Sequence, residues 1–120
     1  MTPTQREATV RVIERKIQNK LMDKNLRQGE HRLGDHDKIV VNGDTRSVFL
    51  FGTEIATVNA DKLILRTGGY TTKTTNSRLN CLLDAFAPAW RLTQKNFKLT
   101  MSNLRTGEIK EFTEGCQFPI

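Results

Sequence analysis

Four short runs of β-branched and aromatic residues follow one another between residues 39 and 66, and they constrain the fold more than any other part of the chain. They occupy residues 39–41, 47–51, 54–58 and 62–66. The segments between them contain Gly43, Gly52 or Asn59, which tolerate the positive φ of a tight hairpin turn. The sequence therefore predicts an antiparallel meander here.

A helix and a closing hairpin are predicted after the meander. Thr74 or Thr75 caps the helix and Pro88 ends it. Its apolar residues fall on one face: Leu79, Leu82, Leu83 and Phe86. Alternating residues from 97 to 102, a turn at Gly107 and a last run over 108–112 predict the hairpin. The predicted fold is α+β, in which a basic N-terminal helix precedes an antiparallel sheet of five to seven short strands with one packed helix.

The chain divides into three predicted segments: a basic amphipathic helix over residues 1–27, a linker or exposed loop over 28–37, and a compact α+β domain over 38–120. Thr2 and Pro3 form the start signal of the first helix. Its apolar stripe is thin and consists of Val10, Ile13, Ile17 and Leu21. A helix with such a stripe docks weakly on its own domain, projects into solvent, or pairs with a second copy of the chain. The sequence therefore leaves a homo-oligomer formed through this helix as one alternative.

Positive charge is concentrated in the first helix. The whole chain has 19 Lys and Arg against 13 Asp and Glu, a net charge of +6, and residues 1–27 contribute seven basic and three acidic residues. A basic helix face neutralises nucleic-acid phosphates without reading sequence. The same face can dock into an acidic groove of a protein, or simply be solvated. The predicted partner-binding residues are Arg11, Arg15, Lys16, Lys20, Lys24, Lys73, Arg78 and Lys98.

A glycine- and threonine-rich segment over residues 68–78 is a candidate phosphate loop. Glycines allow a ligand to approach the backbone, and a helix N-terminus supplies free N–H groups. The candidate residues are Gly68, Gly69, Thr71, Thr74 and Thr75. The segment lacks the spacing of a P-loop, so it does not indicate nucleotide hydrolysis. The alternative is structural: the glycines turn the chain and the threonines cap the helix.

The same segment resembles a motif of short proteins encoded by bacteriophages and related mobile elements. The motif is Gly-Gly-aromatic, then Thr-x-Thr-Thr, then Arg-Leu-Asn, with Tyr70 where a tryptophan is usual. The resemblance extends over residues 46–101 and excludes the basic helix. It implies a phage origin and a compact αβ unit, and it transfers no catalytic role.

Catalytic and metal-binding constellations are weak in this sequence. The two histidines, His31 and His36, share one loop with Asp35 and Asp37 and have no regular ligand spacing. Neither can readily activate Cys81 or Cys116, which lie far along the chain, and Cys81 is expected to be a small buried residue. We therefore expect no enzyme, no metal and no cofactor.

Location and function follow from these expectations. The sequence has no signal-peptide pattern and no apolar run long enough to span a membrane, and its two cysteines form no disulfide framework. This predicts a soluble protein in the cytoplasm, which is the host cytoplasm if a phage encodes it. The predicted function is that of a non-catalytic accessory protein that binds a polyanion, foremost nucleic acid. The alternative is a protein inhibitor of a host defence or nucleic-acid-processing factor.

Overall fold

A computed structural model describes the backbone of residues 3–96 and 98–120, and the side chains of residues 12–96 and 98–120. The predicted Thr2 cap, Phe97 and the side chains of Val10 and Arg11 lie outside the described parts. The described chain forms two helices and nine strands, with these bounds: α1 Pro3–Met22, β1 Gly29–Arg32, β2 Asp37–Asn42, β3 Thr45–Leu50, β4 Thr53–Val58, β5 Lys62–Leu65, α2 Lys73–Phe86, β6 Trp90–Lys95, β7 Lys98–Asn103, β8 Ile109–Glu111 and β9 Cys116–Pro119.

The strands form two antiparallel sheets. The larger sheet has six strands in the order β1-β2-β3-β4-β5-β9, and the smaller has three in the order β6-β7-β8. The α+β prediction and the predicted meander are confirmed, with more strands than the sequence indicated and a division into two sheets. The segment over residues 28–37 is not only a loop, because it contains β1. This strand lies at a sheet edge and is mostly exposed, so it needs no apolar alternation that a sequence pattern would reveal.

The turn between β3 and β4 has an unusual residue. Phe51 has φ 52° and Gly52 has φ 78°, the pair of positive φ values that a tight two-residue hairpin turn needs. Gly or Asn ordinarily fills the first of these positions, since a bulky side chain is strained there. Phe51 nevertheless stands in it and is 64% exposed.

One apolar core holds both helices against the large sheet. Leu79 and Leu82 of α2 and Leu63 of β5 are fully buried in it. Ile17 and Leu21 of α1 belong to the same core. The apolar stripe of α1 therefore docks on its own chain.

Polar contacts fix the position of each helix. The Gln18 side chain donates to the carbonyl of Cys81 at 2.8 Å, which ties α1 to α2. Arg46 of β3 donates to the carbonyls of Lys20 and Leu21 at 2.9 and 2.6 Å, and so caps the end of α1. Along β6, the Asn80 side chain both accepts from the backbone N–H of Leu92 and donates to its carbonyl. Helix α2 therefore covers the β6 edge of the small sheet.

Candidate nucleic-acid interface

The outward face of α1 is basic because its apolar residues face the core. Arg15, Lys16 and Lys20 of α1 are exposed. The helix ends at Met22, not at residue 27 as the sequence predicts, so Lys24, which is also exposed, lies in the turn just after it. Among the described side chains, no ion pair involves any of these four. The one acidic neighbour on this stretch of helix, Glu14, turns inward and accepts a hydrogen bond from the Ser77 hydroxyl of α2. We refer to these four cations as the α1 basic face.

Arg78 was predicted to contact a partner, but it lies inside the molecule. Its side chain is 8% exposed. Its Nε donates to Asp37 Oδ1 at 2.7 Å and its Nη2 donates to Asp37 Oδ2 at 3.3 Å. Its Nη1 lies 3.7 Å from Glu14 Oε1. Arg78 therefore joins α2 to β2 and α1, and no phosphate on a bulky partner can reach it. We remove it from the interface.

The start of α2 differs from the prediction. The cap is Thr72, in an extended conformation, and its Oγ1 accepts from the N–H of Thr75 at 3.1 Å. Thr74 and Thr75 lie inside the first turn, and Thr75 is buried. Of the candidate phosphate-loop residues, Gly68, Gly69, Thr71 and Thr74 stay exposed. Thr75 serves the fold.

The loop before α2 is held by contacts that the sequence did not indicate. The carboxylate of Glu114 accepts from the N–H of Thr67 at 2.8 Å and also from its hydroxyl. The Thr67 hydroxyl oxygen in turn accepts from the N–H of Gly69 at 3.1 Å. Gly68 has φ 65°, and a Cβ there would collide with Cγ2 of Thr53. The loop can approach the β3–β4 turn this closely only because residue 68 is glycine.

A cavity of about 310 Å³ opens where this loop meets the β3–β4 turn and the first turn of α2. We call it the threonine cavity, because five threonines contribute to its wall. The other lining residues are two aliphatic and two aromatic side chains. The full lining is Leu50, Phe51, Thr53, Ile55, Thr67, Tyr70, Thr72, Thr74 and Thr75.

Two further predicted cations lie at the end of the molecule where α2 begins. Helix α2 runs antiparallel to β6, because Asn76 contacts Gln94 and Asn80 contacts Leu92. The first residue of α2, Lys73, therefore lies at the level of the β6–β7 hairpin, in which Lys95 pairs with Lys98. All three lysines are exposed. The predicted set does not include Lys95, because the proximity of Lys95 to Lys73 depends on the packing of α2 on β6.

The cysteines and histidines are occupied by structural contacts. Burial, aided by the nearby Glu14 carboxylate, raises the pKa of the Cys81 thiol to about 12. Burial also raises the pKa of the Cys116 thiol. His31 Nε2 lies 2.7 Å from the Arg27 carbonyl, and the His36 ring stacks on Phe51 with centroids 4.2 Å apart. Neither thiol is thus poised as a thiolate nucleophile at neutral pH.

Neither a metal-binding cluster nor a membrane-spanning helix is present in the described part of the chain. Within residues 3–96 and 98–120, no three His, Cys, Asp or Glu side chains come together as a metal site would need. Neither α1 nor α2, as far as they are described, combines the length and the apolar character that crossing a bilayer requires.

Comparison with known proteins gives a family. The model of a family described as Kyanoviridae Gp96 protein matches residues 10–119. The chain belongs to this phage protein family, for which no activity is assigned. The match confirms the phage origin expected from the resemblance. It also covers a longer range than residues 46–101, because it includes α1 from residue 10 onward. The Gly-Gly-aromatic motif itself stays a prediction. Neither a curated protein nor a solved structure matches the chain.

Proposed function

We propose that this phage protein acts without catalysis, in the host cytoplasm, by binding nucleic acid through the α1 basic face. The observation that carries the proposal is the exposure of Arg15, Lys16 and Lys20 on a helix whose apolar side is anchored in the core, together with Lys24 in the turn that follows it. A helix held in this way is already ordered, so it presents its cations without the conformational entropy that a free arm would lose on binding.

Such an interface contacts phosphates and does not read base sequence. If the four cations each neutralise one phosphate of a duplex, the logarithm of the binding constant falls with the logarithm of salt concentration with a slope of about −3.6. Between 50 and 200 mM salt the affinity then falls about 150-fold. Lys73, Lys95 and Lys98 form a second group of exposed cations that can add to this attraction.

The test compares two single-charge substitutions. We expect Lys20→Gln to weaken duplex binding in an anisotropy titration and to reduce the salt slope by about one, because one phosphate contact is lost. Arg105→Gln removes the same charge from an exposed turn between β7 and β8 and should leave the slope unchanged. Absence of binding at ~50 mM salt would refute the proposal, as would equal effects of the two substitutions.

A second function, inhibition of a host defence or nucleic-acid-processing factor, is favoured by a different surface. Leu104 and Ile109 lie in the β7–β8 hairpin and are 68% and 71% exposed. Exposed apolar side chains in one hairpin can contribute to a protein-binding surface. If this function holds, a nuclease-treated host lysate should yield a stoichiometric protein partner that is lost on Ile109→Asp and kept on Lys20→Gln.

A further inference from the structure

The threonine cavity is large enough for a small ring system and is built from parts that are distant in sequence. Its volume of about 310 Å³ lies at the lower end of the range of small-ligand sites, roughly 300–1,000 Å³. Leu50 and Ile55 are buried and give it an apolar base, while Phe51 and Tyr70 contribute aromatic rings. We propose that this cavity receives an unpaired base of single-stranded nucleic acid. The inference rests on the proposed function and adds a preference for unpaired bases to it.

Two largely exposed aromatic rings line the cavity. Phe51 is 64% and Tyr70 61% exposed, although both are large apolar side chains. Phe51 also occupies a left-handed turn position that Gly or Asn fills with less strain. The backbone conformation therefore disfavours a phenyl ring at residue 51, and strain of this kind is often retained for function. The His36 ring stacked on Phe51 holds it in place.

The polar part of the wall suits the edge of a base. The hydroxyls of Thr67 and Thr75 are bonded to Glu114 and Thr72. Thr74 is exposed at the cavity and can turn its hydroxyl to a ligand. A hydroxyl both donates and accepts a hydrogen bond, so it can pair with the edge of any base. An aromatic ring can stack on the flat face of any base.

The charge around the cavity favours a nucleotide over an aromatic side chain of a protein. The cavity adjoins the N-terminus of α2, where first-turn N–H groups and the helix dipole attract an anion. Lys73 is exposed in that turn, and Lys95 and Lys98 lie at the same end of α2. A base in the cavity would therefore have at least Lys73, which stands between the lining residues Thr72 and Thr74, close to its own phosphate.

The test uses two labelled 12-nucleotide DNA probes that carry the same charge. One is oligothymidine and the other has abasic sites in place of its bases. We expect the protein to bind the first more tightly than the second, by about 5- to 150-fold, the usual effect of one stacked base. Tyr70→Ala should abolish this difference, and Tyr70→Phe should keep it. Leu104→Ala, which removes an exposed apolar side chain elsewhere, should also keep it.

Phe51→Asn gives a second, independent variant. Asn tolerates the left-handed turn, so the variant should keep the fold while it loses the ring. We expect unchanged affinity for duplex DNA and the loss of the preference for bases over abasic sites.

The outcomes separate this inference from the proposed function. Equal affinity for the two probes would overturn the inference. It would leave the proposed function standing if Lys20→Gln still weakened the binding, because that substitution tests the α1 basic face. If neither probe binds and duplex DNA does not bind at ~50 mM salt either, the proposed function fails. The cavity is then tested with thymidine 5′-monophosphate by NMR. Chemical-shift changes at Tyr70 and Thr74 that are absent in Phe51→Asn would support the cavity as a base-binding site, and unchanged spectra would overturn the inference.

Discussion

The pair formed by Arg78 and Asp37 should be the most sensitive polar contact in the molecule. Both side chains are at most 8% exposed, and their closest contact is 2.7 Å. Arg78→Met would leave the carboxylate of Asp37 buried without its partner. Breaking a buried pair in this way costs about 3–5 kcal/mol. At about 4 °C per kcal/mol for a chain of this length, the melting temperature should fall by roughly 12–20 °C.

The assay is urea unfolding followed by circular dichroism, with a double-mutant cycle. Asp37→Leu alone should also be strongly destabilising, because it leaves the guanidinium of Arg78 largely uncompensated. The double variant removes both charges and should be more stable than Arg78→Met alone. A negative interaction energy of this kind is expected only if the two groups compensate one another in the folded protein.

Arg91→Met is the matched control. Arg91 lies 3.5 Å from Asp84, but both side chains are about half exposed, so water screens the pair. The loss should stay below about 1 kcal/mol. If Arg78→Met proved no more destabilising than Arg91→Met, the reasoning that Arg78 fastens α2 to the sheet and to α1 would be refuted.

Three further substitutions test the structure. Asn80→Leu should destabilise by about 2 kcal/mol in urea unfolding, because it removes both hydrogen bonds to the β6 backbone. Gly68→Ala should cost more than Gly69→Ala in thermal unfolding: both have positive φ, but only at residue 68 would a Cβ collide with β4. Burial raises the pKa of the Cys81 thiol to about 12 in the folded protein, whereas the pKa of an unfolded thiol is about 9.0. Stability should therefore fall as pH rises between these values, and the Cys81→Ala variant should lose less. A common slope for the two proteins would contradict this.

Much of the secondary structure could be predicted because it depends on neighbours in the chain. The runs over residues 39–66 and their turns define the meander, and the spacing of Leu79, Leu82 and Leu83 defines the buried face of α2. Edge strands escape such patterns, as β1 and β9 show. A strand such as β1, which is mostly exposed, carries little of the alternation that burial imposes on a sequence.

The candidate interface was predictable only where exposure is the default. Lys16 and Lys20 lie beside the apolar stripe of one helix, and both are exposed, as lysines ordinarily are. Arg78 has no such local signal. Its partner Asp37 is 41 residues away, and a charged residue looks the same in sequence whether it meets water or a buried carboxylate.

Local sequence patterns are sufficient to predict the α+β class, the two helices, the meander and the concentration of positive charge near the N-terminus. The tertiary structure decided the rest: that Ile17 and Leu21 dock on their own core, that Arg78 is internal, and that Phe51 meets Tyr70 around one cavity. The physical reason is the range of the interactions. Periodicity records which residues one element buries, whereas docking, ion pairing and cavities depend on side chains from separate elements that come together only when the sheets close around α2.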